Sequence, residues 1–403
     1  MGNSGKMGQY KQIDDDGAET IYEYMQYGFR PENGPVEFDP DDIRKPIGDR
    51  RGLYVDGEEE PVAICRHYWF DVSVRGQTHP GAGLTSVITP PEHRRNGYVS
   101  DILAATLTEY EERDRHFSIL RPFDYGFYRS FGWDTANEVR NYACPVETLA
   151  FAAETLGAAG EYRQLALDSF DTVAPVYESF SDNYSLTIER DAEWWRHRVC
   201  YSRENDPYVY AWFKDGEPRA YLVFRFTGDY HSRTMKVREF AYTDQEALNA
   251  VLAFCYNHDS QGDTVEFHAA DDSVFRDLLT SPDDVECTLS TGPMVRVVDV
   301  ESTLSALSYP AVEDEIVLSV SDDVADWNDG RFRLSVSDAT GRCEPTVADP
   351  TARLDIAALS QLAVGHRSAT ALARAGRLDA TGNAIETLDR LFPATPVYIR
   401  DRF

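Results

Sequence analysis

Apolar positions in the first part of the chain, up to about Cys144, change between a period of two residues and a period of 3.6. Runs of β-branched and aromatic residues predict strands, whereas apolar residues on one helical face predict helices. The turn Asp56-Gly57 between two such runs predicts a hairpin. The predicted elements, in chain order, are a helix over 21–29, a hairpin of 52–55 and 61–74, a strand over 84–88, a helix after Gly97, a strand over Phe117–Leu120 and a short aromatic helix over 125–131.

The middle of the chain, from about 145 to 291, repeats this order of elements. Asp244 predicts the N-cap of an amphipathic helix, in a segment that carries no arginine- and glycine-rich loop. We interpret the pattern as a duplication whose second copy has lost a ligand loop, with two unrelated α/β segments as the alternative. The predicted elements are a hairpin of 209–213 and 220–226, strands over 237–241 and 264–269, a helix after Asp244 and a short helix over 274–279.

The last part, from 293 onwards, has a different order of elements and ends in an apolar segment. Residues 397–399 are β-branched or aromatic, and the sequence closes with Arg400-Asp401-Arg402-Phe403. This segment is too apolar for a frayed terminus, so we expect it to be buried. The predicted elements are strands over 295–298, 316–320 and 332–336 and helices over 301–307, 355–364 and 384–391. The pattern predicts an α/β fold with mixed sheets and three domains, 1–145, 146–292 and 293–403.

Acidic residues outnumber basic residues by a wide margin. The 403 residues include 69 Asp and Glu against 39 Lys and Arg, a formal net charge of −30. Such a surface repels phosphate groups, which argues against nucleic-acid partners and anionic membranes. Only five of the basic residues are lysine. A composition with many acidic residues and almost no lysine is typical of proteins from halophilic archaea, whose cytoplasm screens the repulsion between acidic residues with molar salt. An acidic pocket for a polycation is the alternative interpretation.

The cysteine and histidine residues indicate a reducing compartment and no metal site. The six cysteines are scattered without a CxxC pair, and the nine histidines never form HExxH. The N-terminus lacks the apolar run of a signal peptide, and no segment approaches the ~18 apolar residues of a membrane span. We therefore expect a cytoplasmic, metal-free protein without a membrane partner.

Residues 89–97, with the sequence TPPEHRRNG, form the strongest local signal for ligand binding. They lie between a predicted strand and a predicted helix. Consecutive backbone N–H groups at a helix N-terminus, with a glycine that permits close approach, are suited to a pyrophosphate. Arg94 and Arg95 add positive charge in an otherwise acidic chain. An ordinary capped loop with two solvated arginines is the alternative.

This loop resembles the coenzyme A motif of the GNAT acyltransferase superfamily. Arg94 and Gly97 match the motif, while Val99 replaces its second small residue. Together with residues 83–87, the segment 122–133 (PFDYGFYRSFGW) and the segment 327–332 (WNDGRF), the loop makes the chain similar to the Eis-like N-acetyltransferases. The resemblance implies two tandem GNAT folds with mixed sheets, the first catalytic and the second degenerate, followed by a sterol-carrier-protein-like α/β domain.

The resemblance further implies direct transfer of acetyl from acetyl-CoA to an amine through a tetrahedral intermediate. The strand over 84–88 is expected to diverge from its neighbour and to receive the acyl and pantetheine groups. Tyr128 is implied as the general acid, because a phenol is protonated at neutral pH and can donate to a thiolate. Tyr125 is the fallback donor, and a structural role in an aromatic core is the alternative for Tyr128. The residues implied to bind acetyl-CoA are Val87, Thr89, Arg94, Arg95, Asn96, Gly97 and Tyr98.

The resemblance also implies that the α-carboxylate of Phe403 reaches the active site of the first domain as the general base. A free α-carboxylate has a pKa of about 3.5 in water, but desolvation and a bridging water make modest base assistance reasonable. Glu92 and His93 are alternative bases, and mere packing of the tail is the alternative role for Phe403.

A small-molecule primary amine is the expected acceptor, with an aminoglycoside, a polyamine and a lysine-type amine as candidates. Asp124, Asp401 and Glu23 are acids that could attract its positive charge. The resemblance implies a homo-oligomer, either a trimer or a hexamer. A non-catalytic CoA- or lipid-binding protein that retains the fold is the alternative function.

Overall fold

The computed structural model describes residues 8–39, 47–156, 160–201, 205–230 and 232–403. The chain divides into two compact units. The first comprises residues up to 134, residues 293–394 and Phe403, and the second comprises residues 135–292 and 395–402. Each unit therefore contains segments that lie far apart in the sequence.

The strands of the chain, numbered in order, are β1 Gln9–Gln12, β2 Asp49–Tyr54, β3 Ala63–Val74, β4 Gln77–Ile88, β5 Phe117–Leu120, β6 Asp134–Thr135, β7 Glu138–Pro145, β8 Glu161–Leu165, β9 Thr187–Ile188, β10 Tyr208–Lys214, β11 Glu217–Thr227, β12 Thr234–Tyr242, β13 Thr264–Ala270, β14 Glu286–Thr291, β15 Met294–Val297, β16 Asp314–Ser321, β17 Gly330–Ser337, β18 Thr340–Pro345, β19 Ala352–Asp355 and β20 Leu378–Ala380. The helices are α1 Ala18–Phe29, α2 Tyr98–Glu112, α3 Tyr125–Arg129, α4 Ala150–Leu156, α5 Ala174–Ser181, α6 Ala192–Trp194, α7 Gln245–Tyr256, α8 Val300–Ala306, α9 Ile356–Val364, α10 Ala369–Arg374 and α11 Gly382–Leu391.

A mixed sheet with the order β1-β2-β3-β4-β5-β15 forms the base of the first unit. Its strands are antiparallel except β4 and β5, which are parallel and joined through α2. Arg75 and Gly76 have φ angles of 53° and 74°, a turn that converts the long apolar run into the hairpin β3-β4. Buried residues of α2, including Ile102, Leu103 and Leu107, pack on this sheet.

The predicted strand at 295–298 is β15, and its partner is β5 of the first sheet. Its place at the start of the third sequence part did not reveal this pairing, because strand partners depend on tertiary contacts. A second sheet in the same unit has the order β18-β17-β16-β19-β20. Apolar residues of this part, such as Leu359, Leu362 and Leu388, are buried.

The second unit contains a sheet with the order β14-β7-β13-β12-β11-β10-β8, in which β12 and β13 are parallel. The helix α7 connects these two strands and buries its apolar face in the core of the unit. As predicted, Asp244 caps α7, since its Oδ1 accepts a hydrogen bond from the backbone N–H of Ala247 at 2.9 Å. The order of elements that repeats in the sequence thus corresponds to two sheets, and in each of them a helix connects two parallel strands.

Candidate active site

The strand β4 separates from β5 at the point where the predicted site begins. The parallel pairing of the two strands ends at Leu84 and Leu120, while β4 continues to Ile88. Ser86 has a φ of 54°, and the register between β3 and β4 shifts opposite Cys65. A bulge of this kind re-aims the strand and leaves backbone groups unpaired. The edge of residues 85–88 that faces β5 therefore has no strand partner from β5.

The loop after β4 ends in a helix N-terminus without a side-chain cap. Gly97, the N-cap residue of α2, has a φ of 87°, and no side chain hydrogen-bonds to the first N–H groups of the helix. Arg95 has a φ of 63°, so two left-handed residues alternate in this turn. A β-carbon at Gly97 would meet no atom within 4 Å. The space beside Gly97 is therefore open next to the helix N-terminus, which suits an anionic ligand.

Two side-chain hydrogen bonds form within the loop that follows β4. Arg94 donates from Nε to the carbonyl of Thr89 at 3.1 Å, and its guanidinium lies 5.4 Å from the ring centre of Tyr27. Asn96 donates from Nδ2 to the carbonyl of His93 at 3.1 Å. The buried Oγ1 of Thr89 has no hydrogen-bond partner among the described residues. Because unpaired buried polar atoms are rare, this hydroxyl indicates a position for a polar ligand group.

Tyr128 lies on α3 with 4% of its surface exposed. Its ring contacts the rings of Phe123, Phe127 and Trp133 edge-on, with centroid distances of 5.5, 5.2 and 6.4 Å. Burial raises its pKa well above the ordinary value of a tyrosine, and the nearby Cys65 raises it further. The phenol therefore keeps its proton at neutral and moderately alkaline pH.

Tyr125, the fallback donor, is more exposed and already engaged. Its hydroxyl donates to Oδ1 of Asp134 at 2.6 Å. Asp124 caps α3 by accepting from the N–H of Phe127 at 2.8 Å. Glu92 and His93, the alternative bases, lie in the short turn Pro91–His93 at the start of the loop.

Phe403 belongs to the first unit, and its ring lies against the strands β3 and β4. The ring centroid is 5.6 Å from that of Tyr68 and 5.7 Å from that of Phe70. A β-carbon at Gly83 would lie 2.9 Å from Cε2 of Phe403. Gly83 is four residues before Val87, so the last residue of the sequence lies on the strand that carries the bulge. The predicted burial of this end is observed in part: residues 397–399 and Asp401 are buried, Arg402 is exposed, and Phe403 is half-buried with Tyr68, Phe70 and Gly83 forming an apolar seat for its ring.

The contact between Phe403 and Gly83 was not predicted from the sequence. The segment Gly81-Ala82-Gly83 carries a signal for it, because glycine inside a strand often marks a close approach of another group. The role of Asp401 was also open at the level of the sequence. This residue is buried and accepts hydrogen bonds from Arg190 and Trp194, so its carboxylate is committed to the second unit.

A groove of about 700 Å³ in the second unit contains none of the predicted catalytic or cofactor-binding residues. Its polar lining includes Lys236, Arg238 and Glu266. Lys236 pairs with Glu266 at 3.1 Å, and Arg238 donates to two backbone carbonyls. Because these charges are already paired, the features around β4 identify the active site better than the volume of this groove.

A metal-binding cluster and a membrane-spanning helix are both absent from the described ranges. No group of three or more His, Cys, Asp and Glu side chains there is arranged to hold a metal ion. Within the same ranges, no helix combines the length and the apolar character that crossing a bilayer requires.

Known domain families match most of the chain. Residues 9–136 and residues 186–297 each match an acetyltransferase (GNAT) domain. Residues 300–400 match a sterol carrier protein domain. These matches confirm the predicted α/β fold of tandem GNAT domains followed by a sterol-carrier-like domain.

Individual relatives resemble the chain over most of its length. An uncharacterized N-acetyltransferase of Streptomyces avermitilis is 24% identical over 321 residues, which cover 76% of each chain. The N-acetyltransferase Eis of Mycobacterium tuberculosis is 24% identical over 332 residues, which cover 79% of each chain. The crystal structure of a GCN5-related N-acetyltransferase from Anabaena variabilis matches with a TM-score of 0.87 at 22% identity, covering 98% of this chain and all of that one. The structural match demonstrates a shared fold.

Proposed function

We propose that the chain is an Eis-like GNAT N-acetyltransferase whose first unit transfers the acetyl group of acetyl-CoA directly to a small-molecule primary amine. The observation that carries this proposal is the combination of groups along β4. The strand diverges from β5 after Leu84, leads into the uncapped N-terminus of α2, and carries the ring of Phe403 on Gly83. A bound thioester, a diphosphate and a base require these three features in one place.

The residues of the loop suit coenzyme A. Acetyl-CoA supplies an activated acetyl thioester when bound. Arg95, Asn96, Gly97 and Tyr98 would hold the diphosphate through their backbone N–H groups, and the side chains of Arg94 and Arg95 would add positive charge. The backbone N–H of Arg94 itself donates to the carbonyl of Pro91. Val87 and the unpartnered hydroxyl of Thr89 would hold the pantetheine arm. The proposed steps use groups of the protein itself.

Tyr128 acts as the general acid in this proposal. Burial raises its pKa, so the hydroxyl is protonated and able to donate to the departing sulfur. The same burial raises the pKa of the neighbouring Cys65 thiol to about 12. Burial would likewise raise the proton affinity of a thiolate released here, and this offsets the weaker acidity of the buried phenol.

The α-carboxylate of Phe403 acts as the general base. Its ring is held by Tyr68, Phe70 and Gly83, so the backbone of this residue is tied to β4. An ammonium group has no lone pair for attack and must lose a proton first. A carboxylate at this position accepts that proton directly or through one water molecule.

The acceptor is a cationic amine in this proposal. A formal charge of −30 attracts cationic substrates at low ionic strength, although molar salt screens most of this attraction. Asp401 is committed to Arg190, so it does not select the acceptor. Aminoglycosides, polyamines and lysine-type amines are the candidates to compare.

Three further properties accompany the proposal. The acidic composition with five lysines supports an origin in a halophilic archaeon and activity in molar salt. All six cysteines are free, which supports a reducing cytoplasmic location. We also propose a homo-oligomer, a trimer or a hexamer, as the resemblance to the family implies.

The decisive experiment measures CoA release from acetyl-CoA with a panel of the three amine classes at 2–3 M KCl. We expect turnover with at least one class. A variant with one glycine added after Phe403 keeps the ring but moves the terminal carboxylate by about 3.8 Å. We expect it to lose about 10²-fold or more in kcat while remaining folded. Phe403→Tyr is the matched control, since it retains the carboxylate and an aromatic ring. Binding of acetyl-CoA without turnover by any amine would instead favour a non-catalytic CoA-binding protein.

A further inference from the structure

The second GNAT domain retains the divergence of two parallel strands. The pairing of β12 with β13 ends at Val237 and Phe267, although both strands continue. The register between β11 and β12 shifts at this point, because Phe224 faces Val237 while Val223 faces Glu239. Arg238 is therefore the extra residue of a bulge. The same two features, an early end of parallel pairing and a bulge, mark β4 in the first unit.

The helix α7, which connects β12 and β13, differs from α2 at its N-terminus. The Asp244 carboxylate occupies the N-terminus of α7, whereas α2 has no side-chain cap. A carboxylate at this position satisfies an N–H group and repels a diphosphate. The second domain thus keeps an opening between its strands without a place for the phosphates of CoA.

The C-terminal segment fills this opening. Tyr398 and Arg400 lie among Phe240 and Tyr242 of β12 and Ala269 of β13, and the remaining cavity is only about 20 Å³. Tyr398 is buried, and its ring centroid lies 5.5 Å from that of Tyr184. The opening is therefore occupied by residues of the chain itself.

Backbone hydrogen bonds fix the segment along its length. Ser185 donates from its N–H to the carbonyl of Pro396 at 2.8 Å and accepts from the N–H of Tyr398 at 3.2 Å. The N–H of Ile399 donates to Oδ1 of Asn137 at 3.3 Å. Arg198 donates from Nε to the carbonyl of Arg402 at 2.9 Å. Contacts on four residues of this short segment leave it little freedom.

A buried ion cluster holds the segment near its end. Arg190 donates to both carboxylate oxygens of Glu239 at 2.7 and 2.8 Å, and from Nε to Oδ1 of Asp401 at 2.9 Å. The Trp194 indole donates to the same oxygen of Asp401 at 2.7 Å. The guanidinium of Arg190 lies 3.8 Å from the ring centre of Tyr177 and is fully enclosed.

The charges in this cluster compensate one another. Burial alone would raise the pKa of Glu239, but Arg190 and Arg400 lower it below the ordinary value, so Glu239 is ionised. Burial alone would lower the pKa of Arg190, but Asp401 and Glu239 raise it, so Arg190 is charged. Removing one partner leaves an uncompensated buried charge, which is strongly destabilising. Asp401 is thereby held in place strongly.

We propose that the second GNAT domain serves as a socket for the C-terminal segment, in which Arg190 is the positioning residue for the α-carboxylate of Phe403. The inference rests on the proposed function of that carboxylate. Asp401 is two residues from Phe403, so its attachment restricts the last α-carbon to a reach of about 7 Å. Catalysis is sensitive to this restriction, since a displacement of about 1 Å can reduce a rate 10²-fold.

The test compares Arg190→Gln, Arg190→Lys and Asp401→Asn in the full chain, with Arg196→Gln as the matched control. Arg196 lies in the same segment but is exposed, so we expect no change. We expect Arg190→Gln and Asp401→Asn to lower kcat about 10- to 100-fold while the KM for acetyl-CoA stays within about twofold. Arg190→Lys restores the charge and should recover part of kcat. Release of Phe403 by a carboxypeptidase should be faster in the Gln and Asn variants than in the wild-type protein.

A double variant separates this inference from the proposed function. In the chain extended by one glycine, the carboxylate is already displaced, so Arg190→Gln should cause little further loss of kcat. Additive losses, or an unchanged kcat in folded Asp401→Asn protein, would overturn the positioning role. If the glycine extension itself leaves kcat unchanged, the proposed base is wrong, whatever the single variants show. A purely structural role for Arg190 predicts a different result: the variants would have a lower melting temperature, while the kcat of the folded fraction and the release of Phe403 stay as in the wild type. That result would also overturn the inference.

Discussion

The ring of Phe403 covers the α-carbon of Gly83, because a β-carbon at position 83 would lie 2.9 Å from Cε2 of that ring. The same β-carbon would lie 2.8 Å from Cε1 of Phe70. Only a residue without a side chain lets the ring approach β4 this closely. The last residue of the sequence and a residue 320 positions earlier thus form one contact in the first unit.

Gly83→Ala should displace the Phe403 ring and reduce activity. The added methyl group collides with two aromatic rings, so we expect kcat to fall at least about 10-fold and the unfolding free energy to fall by about 1–3 kcal/mol. Gly382→Ala is the control, since a β-carbon there meets no atom within 4 Å. Steady-state kinetics and thermal melting measure both effects. An unchanged kcat in Gly83→Ala would separate the position of Phe403 from catalysis.

Tyr128→Phe should remove the acid and retain the aromatic packing. We expect kcat to fall about 10²- to 10⁴-fold with little change in the KM for acetyl-CoA. Because burial raises the pKa of Tyr128, the wild-type kcat should not decline at alkaline pH until well above pH 10. Tyr125→Phe loses the 2.6 Å hydrogen bond to Asp134 and should affect stability more than rate. The reverse result, with kcat lost in Tyr125→Phe alone, would transfer the acid role to Tyr125.

Gly97→Ala should weaken binding of acetyl-CoA. The added β-carbon enters the open space of the loop at a φ of 87°, so both the turn and its N–H groups change. We expect the dissociation constant measured by calorimetry to rise about 10-fold or more. Gly76→Ala provides a matched control, because its φ is 74° and a β-carbon there also meets nothing within 4 Å. It carries a similar backbone cost of about 1 kcal/mol at a turn away from the loop. Equal weakening by both variants would contradict a role for the loop.

His67 should make stability dependent on pH. Its Nδ1 lies 2.6 Å from the Tyr110 hydroxyl and its Nε2 lies 2.7 Å from the Tyr10 hydroxyl. Tyr10 donates its proton to Glu109, so its oxygen accepts from Nε2–H of His67. In the neutral imidazole, Nδ1 then accepts from the Tyr110 hydroxyl. Burial lowers the pKa of His67 to about 3. The unfolded chain binds a proton near pH 6.5 and the folded chain does not, so acidification favours unfolding.

The stability contributed by the neutral imidazole is therefore complete above about pH 6.5 and is lost between that pH and about 3. One such group contributes a slope of about 1.4 kcal/mol per pH unit in this range. Denaturant titrations at pH 7.0, 6.0 and 5.0 measure it. His67→Gln should reduce the slope by about one proton equivalent, whereas His197→Gln, at a partly exposed site, should leave it nearly unchanged. An equal slope in the wild type and His67→Gln would show that this imidazole does not cause the dependence.

Molar salt should stabilise the protein. A formal charge of −30 generates repulsion that is screened as the Debye length falls from about 10 Å at 0.1 M to about 3 Å at 1 M. We expect the melting temperature to rise by about 10 °C or more between 0.2 and 3 M KCl. A variant that neutralises the exposed acids Glu58, Glu59 and Asp283 as amides should show a smaller rise. A melting temperature that is independent of KCl would contradict adaptation to high salt.

Several elements were predictable because their signals are local. The hairpin of 209–213 and 220–226, the Asp244 cap and the strand Phe117–Leu120 all depend on a few neighbouring residues. The turn of residues 94–98 before α2 was also predictable, since it depends on a glycine and a helix start within a short segment. These features were therefore found at the expected positions.

Other features depend on contacts that no local pattern contains. The pairing of β15 with β5, the seat of Phe403 on Gly83 and the cluster of Arg190, Glu239 and Asp401 each join residues distant in the sequence. Arginine and aspartate are common surface residues, so neither type indicates burial by itself.

The sequence alone determined the order of strands and helices, the loop suited to a diphosphate and the apolar character of the chain end, because each is encoded within one continuous segment. The tertiary structure alone decided where that chain end lies and which charges hold it. Burial of a charged group is stable only when a partner from elsewhere in the chain arrives with matching geometry. Position in space, rather than residue type, therefore separates Asp401 and Arg190 from the many other acids and arginines of this acidic protein.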